Sequence, residues 1–180
     1  MSAWRSRVST GVLTAVLIAA SHAGAEVAAV SETSFQVRSE ATVSAPPAAV
    51  YAAFSEIARW WDGRHTYSGD AANLSLSLAP GGCFCEALGE GGVRHGEVML
   101  AWPGRMVVLD AALGPLQQTG ASGALTFSFE ATAEGTRILQ TYNVGGMAPG
   151  LPAQWAPAVD QVQGVQLARL ARFVDAGAPE

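Results

Sequence analysis

Between Leu74 and Val144 the chain is cut at short intervals by turn-forming residues, and this rhythm constrains the fold more than any other feature. The segments "EVMLAW", "MVVLDAAL", "ALTFSFEA" and "TRILQTYNV" are separated by Pro103-Gly104, by Gly114-Pro115, by the stretch from Gly120 to Gly123, and by Glu134-Gly135. Glycine and proline supply the backbone angles of tight turns, so apolar segments this short and evenly spaced predict an antiparallel meander. Two strands precede these. Phe35, Val37, Ser39, Ala41 and Val43 alternate with Gln36, Arg38, Glu40 and Thr42, and Leu74, Leu76 and Leu78 alternate with polar neighbours, the period of a half-buried strand.

Two segments depart from that period. Val50, Phe54 and Ile57 recur at helical spacing behind Pro46 and Pro47, so a short helix is predicted that ends near Trp60-Trp61-Asp62-Gly63. From Pro157 to about Ala176, Val159, Val162, Val165 or Gln166, Leu170 and Phe173 share one helical face. Pro157 fits the first helical position, Asp160 the positive dipole end, and Arg169 and Arg172 the negative end. About 20 residues at a rise of about 1.5 Å give a helix roughly 30 Å long. Trp155 then lies just before it. The expected fold is α+β, a curved antiparallel sheet wrapped around a long C-terminal helix, with room for a cavity between the layers.

The first 25 residues stand apart. Arg5 and Arg7 precede an apolar run from Val8 to Ala20, and Ala23-Gly24-Ala25 places small residues before Glu26. This is the pattern of a secretory signal peptide, and the run is short of the ~20 residues that span a bilayer. The expected mature domain is 26–180, exported to a bacterial periplasm, with no membrane span. It has 180 − 25 = 155 residues, enough for one domain with one core. Removing two arginines from the ten basic residues leaves a charge of 8 − 15 = −7. The chain contains no lysine, which removes Schiff-base chemistry, and an acidic surface without a basic stripe argues against nucleic acid and anionic lipid.

The segments "VSAPPAAVYAAFSEIARWW", "PGGCFCE", "GEVMLAWPGRMVVL" and the closing helix together resemble the START-like helix-grip (SRPBCC) superfamily, in the branch resembling the activator of the Hsp90 ATPase. "HTYSGDAANLSL", "GGCFCEAL", "LGPLQ" and "VDQVQGVQLARL" are similar to secreted bacterial members without an assigned activity. The resemblance spans residues ~35–175 and implies the helix-grip fold, which hosts lipid carriers, hormone receptors, cyclases and co-chaperones. A co-chaperone role needs a cytosolic, ATP-using partner that an exported chain would not meet.

The stretch "GGCFCEALGEGGVRHG" (residues 81–96) carries the densest chemistry. A turn centred on Glu90-Gly91 pairs Glu86 with His95, Phe84 with Glu97, Cys83 with Val98 and Cys85 with Gly96. Alternation then puts Cys83, Cys85, Ala87, Val98 and Leu100 on one face, and Phe84, Glu86, Leu88, His95, Glu97 and Met99 on the other. A Cys-Cys-His metal site is excluded in this register. Buried free thiols are the first reading of the cysteines and a disulfide the other, because residues i and i+2 of an extended strand lie near the limit for a disulfide.

Glu86 and His95 form the sharper pair, with Cβ atoms about 5 Å apart, close enough for a carboxylate to orient an imidazole. Inside a cavity they are candidate acid and base; on a wet convex face they are a surface pair. Glu97 adds a second carboxylate, so a His/Glu/Glu metal set is conceivable, although no metal and no cofactor is expected. Trp61, His65 and Tyr67 would form an aromatic rim at the cavity mouth, joined by Trp155; buried core aromatics are the other reading. The chain has no G-x-S-x-G elbow, no H-E-x-x-H, no phosphate-binding glycine loop and no paired C-x-x-C.

The expected function is periplasmic binding of a small apolar or amphipathic molecule between the C-terminal helix and the sheet. The alternatives are an enzyme of cyclase, hydratase or hydrolase type using Glu86 and His95, and a module that binds envelope proteins through an exposed apolar patch.

Overall fold

The computed structural model describes residues 24–180, so the expected signal segment lies outside the described residues except for Gly24 and Ala25. In chain order the elements are β1 (Gly24–Val30), β2 (Phe35–Val43), α1 (Pro47–Ser55), α2 (Ile57–Trp60), β3 (Leu74–Leu76), β4 (Cys83–Leu88), β5 (Gly91–Trp102), β6 (Met106–Asp110), β7 (Ser122–Thr132), β8 (Gly135–Gly145) and α3 (Leu151–Ala176). The eight strands among the described residues form one antiparallel sheet in the order β1-β2-β8-β7-β6-β5-β4-β3. The meander accounts for β3 to β8, and β2 closes back onto β8 with Phe35 opposite Val144 and Val43 opposite Thr136.

The strand period decides the faces. Phe35, Val37, Ala41 and Val43 of β2, Leu125, Phe127 and Phe129 of β7, and Ile138, Tyr142 and Val144 of β8 are buried on the side that carries α3. From α3, Ala156, Leu167, Leu170 and Phe173 complete this core, together with Gln163 and Gln166. Of the two residues expected to alternate on this helix face, Gln166 is buried and Val165 is only half-buried. α1 and α2 close one end, where Phe54 meets Phe127 at 4.7 Å and Trp60 at 5.7 Å between ring centroids.

The structure corrects the long helix. It begins at Leu151 after Gly150 (φ 83°), with Pro152 in its first turn and Pro157 inside it. The rule that proline suits a helix start holds, but Pro152 satisfies it. Trp155 is therefore helical, and Asp160 lies too far along to meet the N-terminal dipole; burial, then the charge of Glu26, raise its pKa. Gly177 (φ 73°) ends the helix in the left-handed conformation that glycine favours.

The β4–β5 hairpin turns one residue earlier than expected. Leu88 pairs with Gly91 across Gly89-Glu90, and Gly89 at φ 59° occupies the first central position, as a type II′ turn requires. Cys85 then faces Arg94, whereas Phe84 faces Gly96 and Cys83 faces Glu97. The extra residue is His95, a β-bulge. A second bulge at Met99 shifts the β5–β6 register.

The first bulge breaks alternation on β5, so His95 and Val98 both point inward although three residues apart. Glu97 and Met99 point outward, which corrects the expectation for both. Bulges add bend and twist, and the one at His95 lies on the wall of the space between the sheet and α3.

Gly96 beside the bulge has no room for a side chain: an added Cβ would lie 2.7 Å from the Ala111 Cβ and 2.9 Å from the Asp110 carbonyl oxygen. Gly96→Ala is expected to destabilise the domain by about 1–3 kcal/mol, read as a lower urea midpoint with an unchanged slope; an unchanged midpoint would show that β5 and β6 yield there.

Candidate functional site

Glu86 is the centre of the site. Its side chain is fully buried, on the same face of β4 as Phe84. Burial alone would push its carboxyl up, but hydrogen bonding from Ser68, the Tyr67 N–H and the His95 ring outweighs it and holds the pKa at about 2. The Tyr67 N–H reaches Oε2 at 3.0 Å, the Ser68 N–H reaches Oε1, and His95 Nε2 lies 2.8 Å from Oε2. One carboxylate thus ties β4 to β5 and to the loop that follows α2.

The charge on Glu86 fixes the orientation of His95. Nε2–H donates to the carboxylate, so Nδ1 is the free ring nitrogen, and among the described residues it makes no hydrogen bond. Phe84 packs against the ring at 4.8 Å between centroids and Tyr67 at 5.9 Å. The imidazole is 6% exposed and forms part of the wall of a cavity of about 440 Å³ between α3 and the sheet.

Trp61 and Phe84 form the inner wall, in edge contact at 5.4 Å. Trp155, Val159 and Val162 from α3 face them, and Leu113 to Leu116 close another side. Tyr142 stands at the back, with its hydroxyl donating to the Ala111 carbonyl and accepting from the Leu113 N–H, both at 2.9 Å. Burial pushes this phenol up to about 12, so it stays neutral. A wider, shallower groove of about 620 Å³ crosses the outer face of the sheet from Ala29 to Met99, but it holds no comparable buried polar pair.

Of the residues singled out from the sequence, Trp61, His65, Tyr67, His95 and Trp155 line this cavity. Glu86 stands behind His95 and not at the surface of the chamber. Glu97 is on the opposite face, 3.1 Å from Arg94, so it joins neither the cavity nor a metal set with Glu86 and His95. Among the described residues no group of three or more His, Cys, Asp or Glu side chains is placed to hold a metal ion.

On β4 the side that carries Phe84 and Glu86 turns inward, and the side that carries the cysteines turns outward. The cysteines are also corrected: Cys83 and Cys85 form a disulfide, with Cα atoms 5.4 Å apart. That spacing lies within the usual disulfide range and is shorter than an ideal extended strand gives. The expectation of free thiols assumed a regular strand, whereas β4 here faces a bulge.

Sequence reasoning missed the glutamines. Gln166 accepts from the Asp62 N–H at 2.8 Å and lies 2.9 Å from His65 Nδ1, pinning the loop to α3. The Asp62 carboxyl is held at about 2, mainly by the Arg64 side chain. Gln163, on the cavity wall, accepts a short hydrogen bond from Gln140. The available signal was amide side chains on an otherwise apolar helical face, where burial demands partners.

No protein-family model and no curated protein matches the chain. Solved structures do. A conserved protein of unknown function from Enterococcus faecalis superposes with TM-score 0.58 at 13% identity, over 88% of this chain and 81% of that one. The Aha1 dimer protein from Colwellia psychrerythraea gives 0.56 at 17% identity, over 79% and 97%. CalU16 from Micromonospora echinospora gives 0.54 at 17%, over 89% and 87%.

The chain has the helix-grip fold. α3 packs on β1, β2 and the two short helices, and the cavity lies between its N-terminal half and strands β4, β5 and β8. At these identities the likeness is one of fold, so the chemistry of this helix grip rests on its own residues.

The Glu86 carboxyl, normally near 4.5, is held at about 2 in the folded chain, which corresponds to on the order of 3 kcal/mol of stability. Because the folded value is the lower one, this contribution is present above about pH 5 and is lost as the pH falls toward 2. Urea midpoints measured from pH 7 to 3 are expected to fall more steeply for the wild type than for Glu86→Gln. Parallel curves would contradict the assignment.

Proposed function

We propose that the protein binds a small amphipathic molecule in the cavity between α3 and the sheet. The observation that carries this reading is a buried imidazole, fixed by a carboxylate and with an unpartnered Nδ1, on the wall of a chamber lined by tryptophan, leucine and valine. Small-molecule sites are commonly 300–1,000 Å³, mostly apolar, with a few placed polar groups, and about 440 Å³ falls within that range. The apolar body of the ligand would lie against Trp61, Leu116, Trp155 and Val162, with a hydroxyl, amide or carboxyl group on His95 Nδ1 and Gln163. His65 and Tyr67, 46% exposed, would stand at the mouth.

The setting we propose is the bacterial periplasm, with residues 1–25 as a cleaved signal and 26–180 as the working domain. The charged start, short apolar run and small residues before Glu26 support this. β1 begins at Gly24, so cleavage after Ala25 would leave Glu26 to Val30 to pair with β2.

A second reading rests on the same nitrogen. A carboxylate-oriented imidazole with a free Nδ1 is a general base, and a substrate held against it would lose a proton to Nδ1. The chemistry would be of cyclase, hydratase or hydrolase type. Glu86 would then act through His95, as a positioning residue.

Native mass spectrometry of the protein purified from periplasm is the test. The expected spectrum shows a polypeptide beginning at Glu26 with a small molecule that is lost on denaturation and absent from Val162→Trp, which fills the chamber. For the isolated ligand, His95→Gln should weaken binding about tenfold, the worth of roughly one hydrogen bond. A bare polypeptide that also fails to bind 1-anilinonaphthalene-8-sulfonate saturably would overturn the binding reading. A retained molecule that leaves chemically altered would favour the enzyme.

A further inference from the structure

We propose that the Cys83–Cys85 disulfide is a thiol-exchange site that accepts two electrons from a dithiol. Its spacing argues against a role as a structural staple. The entropic gain from a crosslink grows with the length of chain it closes, and this one encloses a single residue. The backbone on both sides is already held: Cys85 pairs with Ser75 of β3 and Arg94 of β5, and Cys83 pairs with Glu97. The bond therefore ties together atoms that the sheet has placed.

Its position suits exchange. Both cysteines are half-buried on the outer face of the sheet, away from α3, where a thiol from solvent can approach. β3 covers β4 only through Leu74–Leu76, one strand from the edge. Charge then separates the two sulfurs. Arg94 stands directly opposite Cys85, with Cβ atoms about 5 Å apart in such pairs, and a nearby guanidinium lowers a thiol pKa and makes it a better leaving group. Glu97, opposite Cys83, accepts from Arg94 at 3.1 Å and offsets part of that charge. Attack is therefore directed to Cys83, with Cys85 leaving as the thiolate.

The chemistry balances. One thiolate of the dithiol attacks Cys83 Sγ, the Cys83–Cys85 bond breaks, and a mixed disulfide forms as Cys85 departs with the electron pair. The second thiolate of the dithiol attacks its own sulfur in the mixed disulfide and releases Cys83. The dithiol ends as a disulfide, having lost two electrons and two protons, and the protein carries two reduced cysteines.

The test is a redox titration of the folded protein in glutathione and dithiothreitol buffers. Thiols are trapped by acid quench and iodoacetamide and counted by mass, while circular dichroism follows the fold. We expect both cysteines to convert together in one two-electron step with the fold intact. Arg94→Gln should shift the equilibrium toward the disulfide by about threefold or more and slow reduction by dithiothreitol, and Glu97→Gln should shift it the other way. Three results would overturn the proposal: a disulfide that opens only on unfolding, cysteines that stay free in oxidising buffer, or charge variants that titrate as the wild type does.

Discussion

A carboxylate removed from water must be met by donors, and the way Glu86 is met organises one end of this molecule. Its donors come from the loop after α2 and from β5, so the charge can be satisfied only when three parts of the chain converge. Converged, they set the position of the loop, the orientation of the His95 ring and the shape of the cavity wall. Gln166 repeats the device from the other side by holding Asp62 and His65 to α3. A buried polar network of this kind costs stability if any member is lost, which is how it specifies a single arrangement.

The bulge at His95 is the second part of that arrangement. In a regular hairpin Glu97 would share the inner face with Glu86 and bring a second acid to the site. One extra residue sends it outward to Arg94, and Val98 takes the inner place with no exposed surface. The hairpin therefore contributes one acid and one imidazole to the site, with Arg64 and His65 also on the cavity wall, a composition that suits a neutral or weakly polar ligand group better than a cation. Gly96, pressed against Ala111, is what permits β5 and β6 to approach so closely there.

Much of the fold was legible because it follows from period and punctuation. β2 runs from Phe35 to Val43 as its alternation indicates, and the turns fall at the glycine and proline pairs. The contact of Glu86 with His95 was also legible, although through the wrong register: Glu86 stands opposite Val93, and the bulged His95 reaches it diagonally. What period could not show was the bulge. From it followed the wrong sides for Glu97, Val98 and Met99, and the missed disulfide, since 5.4 Å between Cα atoms two residues apart requires a strand that is not ideal. β1 went unread because its start merges with the small residues before Glu26. The α3 start was misplaced because two prolines competed for one rule, and the glutamines were passed over because Gln166 depends on a loop about 100 residues away in sequence and Gln163 on Gln140 of β8.

The proposed binding depends on which nitrogen of His95 faces the cavity. Long-range proton–nitrogen correlation spectra of the ¹⁵N-labelled protein read this directly from the chemical shifts of the two ring nitrogens. In the neutral ring, Nε2 is expected to be protonated and bound to Glu86, and Nδ1 to be unprotonated with a resonance that moves when the cavity ligand is added. A protonated Nδ1, or an Nδ1 indifferent to ligand, would contradict it.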